Sequence, residues 1–205
     1  MDIKHSKKLS KRGILCQPCR MIDGRPALTN LKVRPARADD AEAVARIYAH
    51  HVQHGTASFD AVARTPVQTE EKIRDTLSKG WPFIVAERAE TILGYAYVTG
   101  FRDRPAYGYT CEDSIYVDPD FVGQGVGVQL MRALMERACD CGFRQMIAVI
   151  GGGEPASVAL HSKMGFTHAG RMRNVGRKFG RWLDTVYMQA ELGDGDRSAP
   201  AREPA

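Results

Sequence analysis

No apolar run in the 205 residues approaches the length of a membrane span, and the N-terminus lacks the basic start, apolar core and small-residue cleavage site of a secretory signal. A cytoplasmic chain is expected. Cysteine is scarce and odd in number (Cys16, Cys19, Cys111, Cys139 and Cys141), which argues for reduced thiols rather than a disulfide framework. Metal-ligand spacing is also thin. Cys16-Gln17-Pro18-Cys19 has no second Cys/His pair nearby, and His50, His51 and His54 have no accompanying carboxylate, so no metal is expected at either place. No Gly-Lys-Ser/Thr follows the glycine cluster at 123–127, and a third dinucleotide-type glycine would fall at Val128, so neither a Walker loop nor a dinucleotide fingerprint is present.

The charge of +5 is unevenly spread. Residues 1–34 carry nine Lys/Arg against two acids, a surplus of seven, which leaves about −2 for the rest. The basic balance therefore belongs to the tail, and a solvated tail is a better reading of residues 1–30 than a nucleic-acid or membrane arm. Residues 193–205, rich in Gly, Ala, Pro and charge, read as a second unstructured tail.

Between the tails, one stretch organises the rest. A β-rich segment ends at Asp118-Pro119, and Gly123-Gln124-Gly125-Val126-Gly127 leads into an amphipathic run with Val128, Met131, Leu134, Met135 and Ala138 on one stripe, stopped by Gly142. A glycine turn opening a helix presents unpaired backbone N–H groups and a favourable helix dipole to an anion such as phosphate. Around it, periodicity and punctuation predict a strand at 31–36 and a helix capped by Asp39 or Asp40. A second helix opens at Thr65-Pro66, and a hairpin spans 81–98. Further strands are expected near 109–117 and 143–150, then a short helix at 155–164 and two last strands at 167–174 and 181–188. The order β-α-α-β-β-β-α-β-α-β-β implies an α/β fold, a mixed and mostly antiparallel sheet with a central parallel pair flanking the glycine turn and helices on both faces.

This order and turn resemble the GCN5-related N-acetyltransferase fold, whose turn reads Gln/Arg-x-x-Gly-x-Gly/Ala; here Val122 stands in the leading position. The segments at 56–60, 104–117 and 148–151, Ser157-x-x-x-His161, and 180–184 are similar to those of phosphinothricin and methionine sulfoximine/sulfone N-acetyltransferases. The resemblance spans about residues 31–192.

It implies acetyl-CoA as co-substrate and no metal. The pyrophosphate would lie on Gly123, Gln124, Gly125, Val126, Gly127 and Val128, and the pantetheine arm along Ile115, Tyr116 and Val117 with support from Ser157. Glu112 stands at the family's proposed general base. His161 stands where many members carry a Tyr that protonates the leaving thiolate. Glu154 replaces a frequent Asn. Arg102, Arg104, Tyr107 and Tyr109 would supply donors to an anionic acceptor, and Phe59 would wall its site. The resemblance also implies a homodimer acting on a small-molecule amine.

Two other readings stay open: acetylation of a protein N-terminus or lysine, and a non-catalytic CoA-binding module whose tail contacts nucleic acid. The Arg/Tyr-rich loop favours the small anionic acceptor. Phosphinothricin, methionine sulfoximine, methionine sulfone and ordinary amino acids remain equivalent at this level.

Overall fold

The structure, a computed structural model, describes residues 30–200. Cys16, Cys19 and nearly all of the basic tail lie outside the described residues. Seven strands form one sheet: β1 (Lys32–Pro35), β2 (Phe83–Arg88), β3 (Thr91–Gly100), β4 (Thr110–Val117), β5 (Gln145–Gly151), β6 (Thr167–Lys178) and β7 (Arg181–Glu191). Their order across the sheet is β1-β2-β3-β4-β5-β7-β6, and only the β4–β5 contact is parallel. The helices are α1 (Ala41–His54), α2 (Pro66–Ser78), α3 (Val126–Asp140) and α4 (Pro155–Lys163). The mixed sheet, its single parallel pair and the element order agree with the sequence reading. Among the described residues no helix is long and apolar enough to cross a membrane.

Both sheet faces are buried, which is why the central strands read as continuous apolar runs. Side chains alternate along a strand. Ile84 and Ala86 of β2 join Leu93, Ala96 and Val98 of β3 under α3, whose Val126, Leu130, Met131, Leu134 and Ala138 are fully buried. Phe83 and Val85, with Tyr95 and Tyr97, face the other way onto Val44, Ile47, Tyr48 and Val52 of α1 and Ile73 of α2. The stripe expected on α3 needs rotating. Val128 and Met135 are only half-buried, and Val126 and Leu130 take the deep positions because the helix leans its first turn onto the sheet.

Local chemistry sets the ends. Thr65 caps α2 through a reciprocal box with Gln68, and Pro66 occupies the first turn. The two-residue link between β2 and β3, Ala89 and Glu90, takes φ of 46° and 64°, the mirror-image turn that matches strand twist. Asp40 does not cap α1 with its side chain. Its carboxylate instead accepts from Arg34 and from the Arg37 backbone N–H, tying β1 to the helix. The expected linker at 176–180 is mostly strand, because β6 and β7 stay paired to Lys178↔Arg181. Where the sequence leads one to expect an unstructured tail, residues 193–200 run as turns, with Arg197 bonding Glu191 and the Gly193 carbonyl.

Candidate active site

Strands β4 and β5 are hydrogen-bonded only at their starts: Thr110↔Gln145, Cys111↔Met146 and Glu112↔Ile147. Beyond Glu112 they part, and β5 continues instead along β7. A pocket of about 230 Å³ occupies the gap. It gathers Glu112, Asp113, Ser114, Ile115 and Tyr116 from β4, residues 148–151 of β5, Ser157 and His161 of α4, Thr185 of β7, and residues 57–59 of the loop after α1.

A gap between strands opens to both faces of the sheet, and the alternation of β4 uses this. Cys111, Ile115 and Val117 belong to the α3 face, and Tyr116 to the α1/α2 face. By that parity Asp113 faces α3 and α4, whereas Glu112 faces α1 and α2.

On the α4 side, His161 and Asp113 are each 2 % exposed, with His161 Nε2 3.1 Å from Asp113 Oδ2. The other ring nitrogen, Nδ1, lies 2.7 Å from the Ser157 carbonyl and 3.3 Å from its hydroxyl. Burial alone would pull the His161 pKa down, but the bond and charge of Asp113 and the Ser157 carbonyl outweigh it, and the net direction is up. Across the gap, burial and then the charge of Asp113 raise the Glu112 carboxyl above its ordinary value.

At the far end of β4, Asp118 caps a short 3-10 turn over Pro119–Phe121. Gly123 and Gly125 then take φ of 77° and 85°, left-handed conformations that favour glycine, and α3 begins at Val126. The Gln129 N–H reaches back to the Gly125 carbonyl at 3.2 Å. The N–H groups of the first turn ahead of it have no acceptor within the helix. A Cβ on Gly125 would meet nothing within 4 Å, and one on Gly127 would meet Leu160 of α4 at 3.2 Å. The turn is thus open outward and tight inward, a backbone cradle that suits a phosphate group of the co-substrate.

Phe59 is seated by two glycines. A Cβ at Gly176 of β6 would lie 2.2 Å from its ring, and one at Gly151 of β5 2.9 Å. The loop carrying it is pinned by Tyr48, whose hydroxyl contacts Ser58 at 3.0 Å and donates to Asp60, and by Lys178, which donates to the Ser58 carbonyl at 2.7 Å.

Of the residues singled out from the sequence, the pocket brings together Phe59, Glu112, Ile115, Tyr116, Ser157 and His161. It does not gather Arg102, Arg104, Tyr107 or Tyr109. The first three are exposed on the β3–β4 connection, beside the end of β4 that is still paired to β5, and Arg102 lies over the Phe101 ring. The Val117 carbonyl already accepts from His51 Nε2 at 2.8 Å. Burial lowers the His51 pKa, with the Val117 carbonyl opposing. His51 thus ties α1 to β4. Glu154, unexpected in place of Asn, is the N-cap of α4, accepting from Ala156 and Ser157 N–H at 2.7 and 3.2 Å. Asp113 went unnoticed in the sequence. An acid two residues from Ile115 on a buried strand was the available signal, since such a group needs a partner.

A sheet split after one parallel pair, with a glycine turn at the end of the splayed strand, defines an acetyltransferase domain. The acetyltransferase (GNAT) domain model matches residues 33–187, and the chain belongs to that family. It is 48 % identical over 170 residues to a phosphinothricin N-acetyltransferase of Alcaligenes faecalis, covering 82 % of this chain and 86 % of that protein. It is 41 % identical over 172 residues to an L-methionine sulfoximine/L-methionine sulfone acetyltransferase of Pseudomonas aeruginosa, covering 82 % and 98 %. Its fold is similar to the crystal structure of a phosphinothricin acetyltransferase from Sinorhizobium meliloti in complex with AcCoA. That match has TM-score 0.82 and 39 % identity, and covers 84 % of this chain and 94 % of that one.

Proposed function

We propose that the protein transfers an acetyl group from acetyl-CoA to the amino group of a small amino-acid-like acceptor such as phosphinothricin, methionine sulfoximine or methionine sulfone. The observation that carries this reading is the gap after Glu112↔Ile147, which holds Glu112 and His161 in one pocket on opposite faces of the sheet. The names of the relatives support the acceptor class.

The N–H groups of Gly123 to Val128 hold the pyrophosphate of acetyl-CoA, and the arm enters the gap from the α3/α4 side along Ile115, Tyr116 and Val117, with Ser157 at its flank. The acceptor enters from the α1/α2 side against Phe59. The neutral amine of the acceptor attacks the thioester carbon with its lone pair and, as the C–N bond forms and the C–S bond breaks, its nitrogen gives a proton to Glu112. The electron pair leaves with sulfur, and the His161 side supplies the proton that makes the thiol. Arg102, Arg104, Tyr107 and Tyr109 lie outside the pocket, and the positive charge of the two arginines attracts an anionic acceptor toward this side of the protein. The protein works in the cytoplasm without a nucleic-acid partner.

A homodimer belongs to this reading. β6 is an edge strand exposed along nearly its whole length, and Met172, Val175, Phe179 and Trp182 of the β6–β7 ribbon are exposed together. An unprotected edge with apolar neighbours favours a second copy as its cover. Sedimentation of Trp182→Glu as a monomer, against a wild-type dimer, tests that part.

The activity is tested by acetyl-CoA-dependent thiol release with phosphinothricin, methionine sulfoximine and methionine sulfone, on wild type and Glu112→Gln. Fast release that falls by about 10²–10⁴ in the variant is the expected result for loss of a general base. No release from wild type with any of the three acceptors would overturn the reading.

A further inference from the structure

We propose that Asp113 is a positioning residue for the chemistry: it holds the His161 ring by Nε2 and keeps it doubly protonated at the floor of the pocket. The inference deepens the acetyl-transfer reading above and rests on it for the fate of the proton, though not for the state of the ring.

The geometry allows few arrangements. Nδ1 of His161 sits 2.7 Å from a backbone carbonyl, which only accepts, so Nδ1 carries a proton. Nε2 sits 3.1 Å from a carboxylate oxygen, which when ionised also only accepts, so Nε2 carries one too. With Asp113 as the carboxylate the ring is then an imidazolium, buried to the same degree as its counter-ion. Its position in the last turn of α4, where the helix dipole favours a cation, works in the same direction. The Phe166 ring stands edge-on to the imidazole at 4.9 Å and closes one side. Among the described residues that line the pocket with the ring, the charged groups are Asp113, in contact, and Glu112, on the other face of β4. α4 offers Ser157, and β7 offers the uncharged Thr185. The second oxygen of Asp113, Oδ1, is buried and has no hydrogen-bond donor among the described residues, on a residue that lines the pocket.

This pairing balances charge through the reaction. Before transfer, Glu112 carries −1 and the Asp113–His161 pair is neutral. During transfer the lone pair of the neutral amine forms the C–N bond, its nitrogen gives a proton to Glu112, the C–S bond breaks with its electron pair on sulfur, and that sulfur takes one proton from the Asp113–His161 pair. Glu112 is then neutral and the pair carries −1, so the three groups together hold one negative charge throughout. An unpaired histidine in the same place would be neutral when the acceptor arrives, with no proton held ready for sulfur.

The test is an imidazole ¹⁵N titration of the full-length protein, with His161 signals assigned by their loss in His161→Gln, together with the pH profile of kcat. In wild type at pH 6, both ring nitrogens of His161 are expected in the protonated form, with deprotonation above the ordinary histidine range. In Asp113→Asn, which keeps the shape of the side chain, the ring is expected to titrate below that range. The alkaline limb of kcat moves down with it, and kcat at neutral pH falls about tenfold or more, part of what a positioned acid contributes. A wild-type ring with one unprotonated nitrogen at pH 6 overturns the proposal, whether or not the variant folds. So does an Asp113→Asn variant whose ring titration is unmoved. Absent acetyl transfer in wild type would sink the activity reading instead, and the ring titration would still decide the role of Asp113.

Discussion

Replacing Gly176 by alanine should damage the acceptor site and spare the acetyl-CoA site. The added Cβ would lie 2.2, 2.6 and 2.7 Å from Cε2, Cδ2 and Cζ of Phe59. Ordinary contact begins at 3.4 Å, so the ring must recede by about 1.2 Å. It has little room to slide toward β5, because Gly151 packs so close that a Cβ there would sit 2.9 Å from the Cε1 edge of the ring. Nor can the loop back away freely while Ser58 is held by Lys178 and Tyr48. The ring is 39 % exposed, so the way out is toward solvent, off its preferred rotamer. That costs about 0.5–1.5 kcal/mol whenever the wall is rebuilt around the acceptor, or roughly 2- to 12-fold in acceptor KM. Steady-state thiol release, varying phosphinothricin at saturating acetyl-CoA and then the reverse, reads the two KM values separately. A lower Tm with both KM values unchanged would refute the reasoning, since the clash would then have been absorbed by the fold and Phe59 would not wall the acceptor.

Three further outcomes follow from the geometry. Glu112 acts as a base only when ionised, and burial and Asp113 raise its pKa, so the acidic limb of kcat/KM should lie above the ordinary glutamate value of 4.5 and vanish in Glu112→Gln. Gly125→Ala meets no steric obstacle but keeps a φ of 85°, so it should cost about 1–2 kcal/mol in urea denaturation and weaken acetyl-CoA binding by calorimetry. Arg34→Ala should cost about 2–3 kcal/mol, less than a fully buried pair, by stranding Asp40, which Arg34 holds at 2.7 and 2.8 Å. Burial pushes the Asp40 carboxyl up, but Arg34 and the Arg37 N–H outweigh it and hold it below its ordinary 3.8. The stabilisation is therefore complete above that value and lost as pH falls through the lower folded pKa. Urea melts at pH 7 and near pH 2 should show the variant losing less stability to acid than wild type.

Most of the fold was legible because its signals are local. Thr65-Pro66, Gly80, Gly142 and Gly165 punctuate helices through caps and left-handed residues, which depend on the residues around them and little else. The face of α3 was misjudged by part of a turn, since Val126 and Val128 are equally apolar and only packing against β3 and β4 separates them. In the site, the glycine turn and Glu112 could be read from spacing and resemblance. The Asp113–His161 pair could not, because 48 residues separate its members and only the splay of β4 from β5 brings α4 over the gap. The seat of Phe59 was hidden for the same reason: in the sequence Gly151 only ends a strand and Gly176 only joins two, until the loop they admit is in place.

The position of the split in the sheet ties these features together. Were β4 and β5 paired to their ends, Glu112 and His161 would be separated by an unbroken sheet, with each proton-handling group confined to its own face. Pairing stops at the residue that bears the carboxylate, and the next residue along bears the partner of the histidine. One strand therefore presents Glu112, the proposed base, to one face and Asp113, the partner of His161, to the other within a single step of about 3.3 Å. In the proposed reaction the two substrates approach from opposite sides and meet in the gap, the donor on the backbone of the glycine turn and the acceptor against the loop after α1. In the proposed reaction the short register of the β4–β5 pair is thus what admits both substrates, and lengthening it would close the pocket before it disturbed the core.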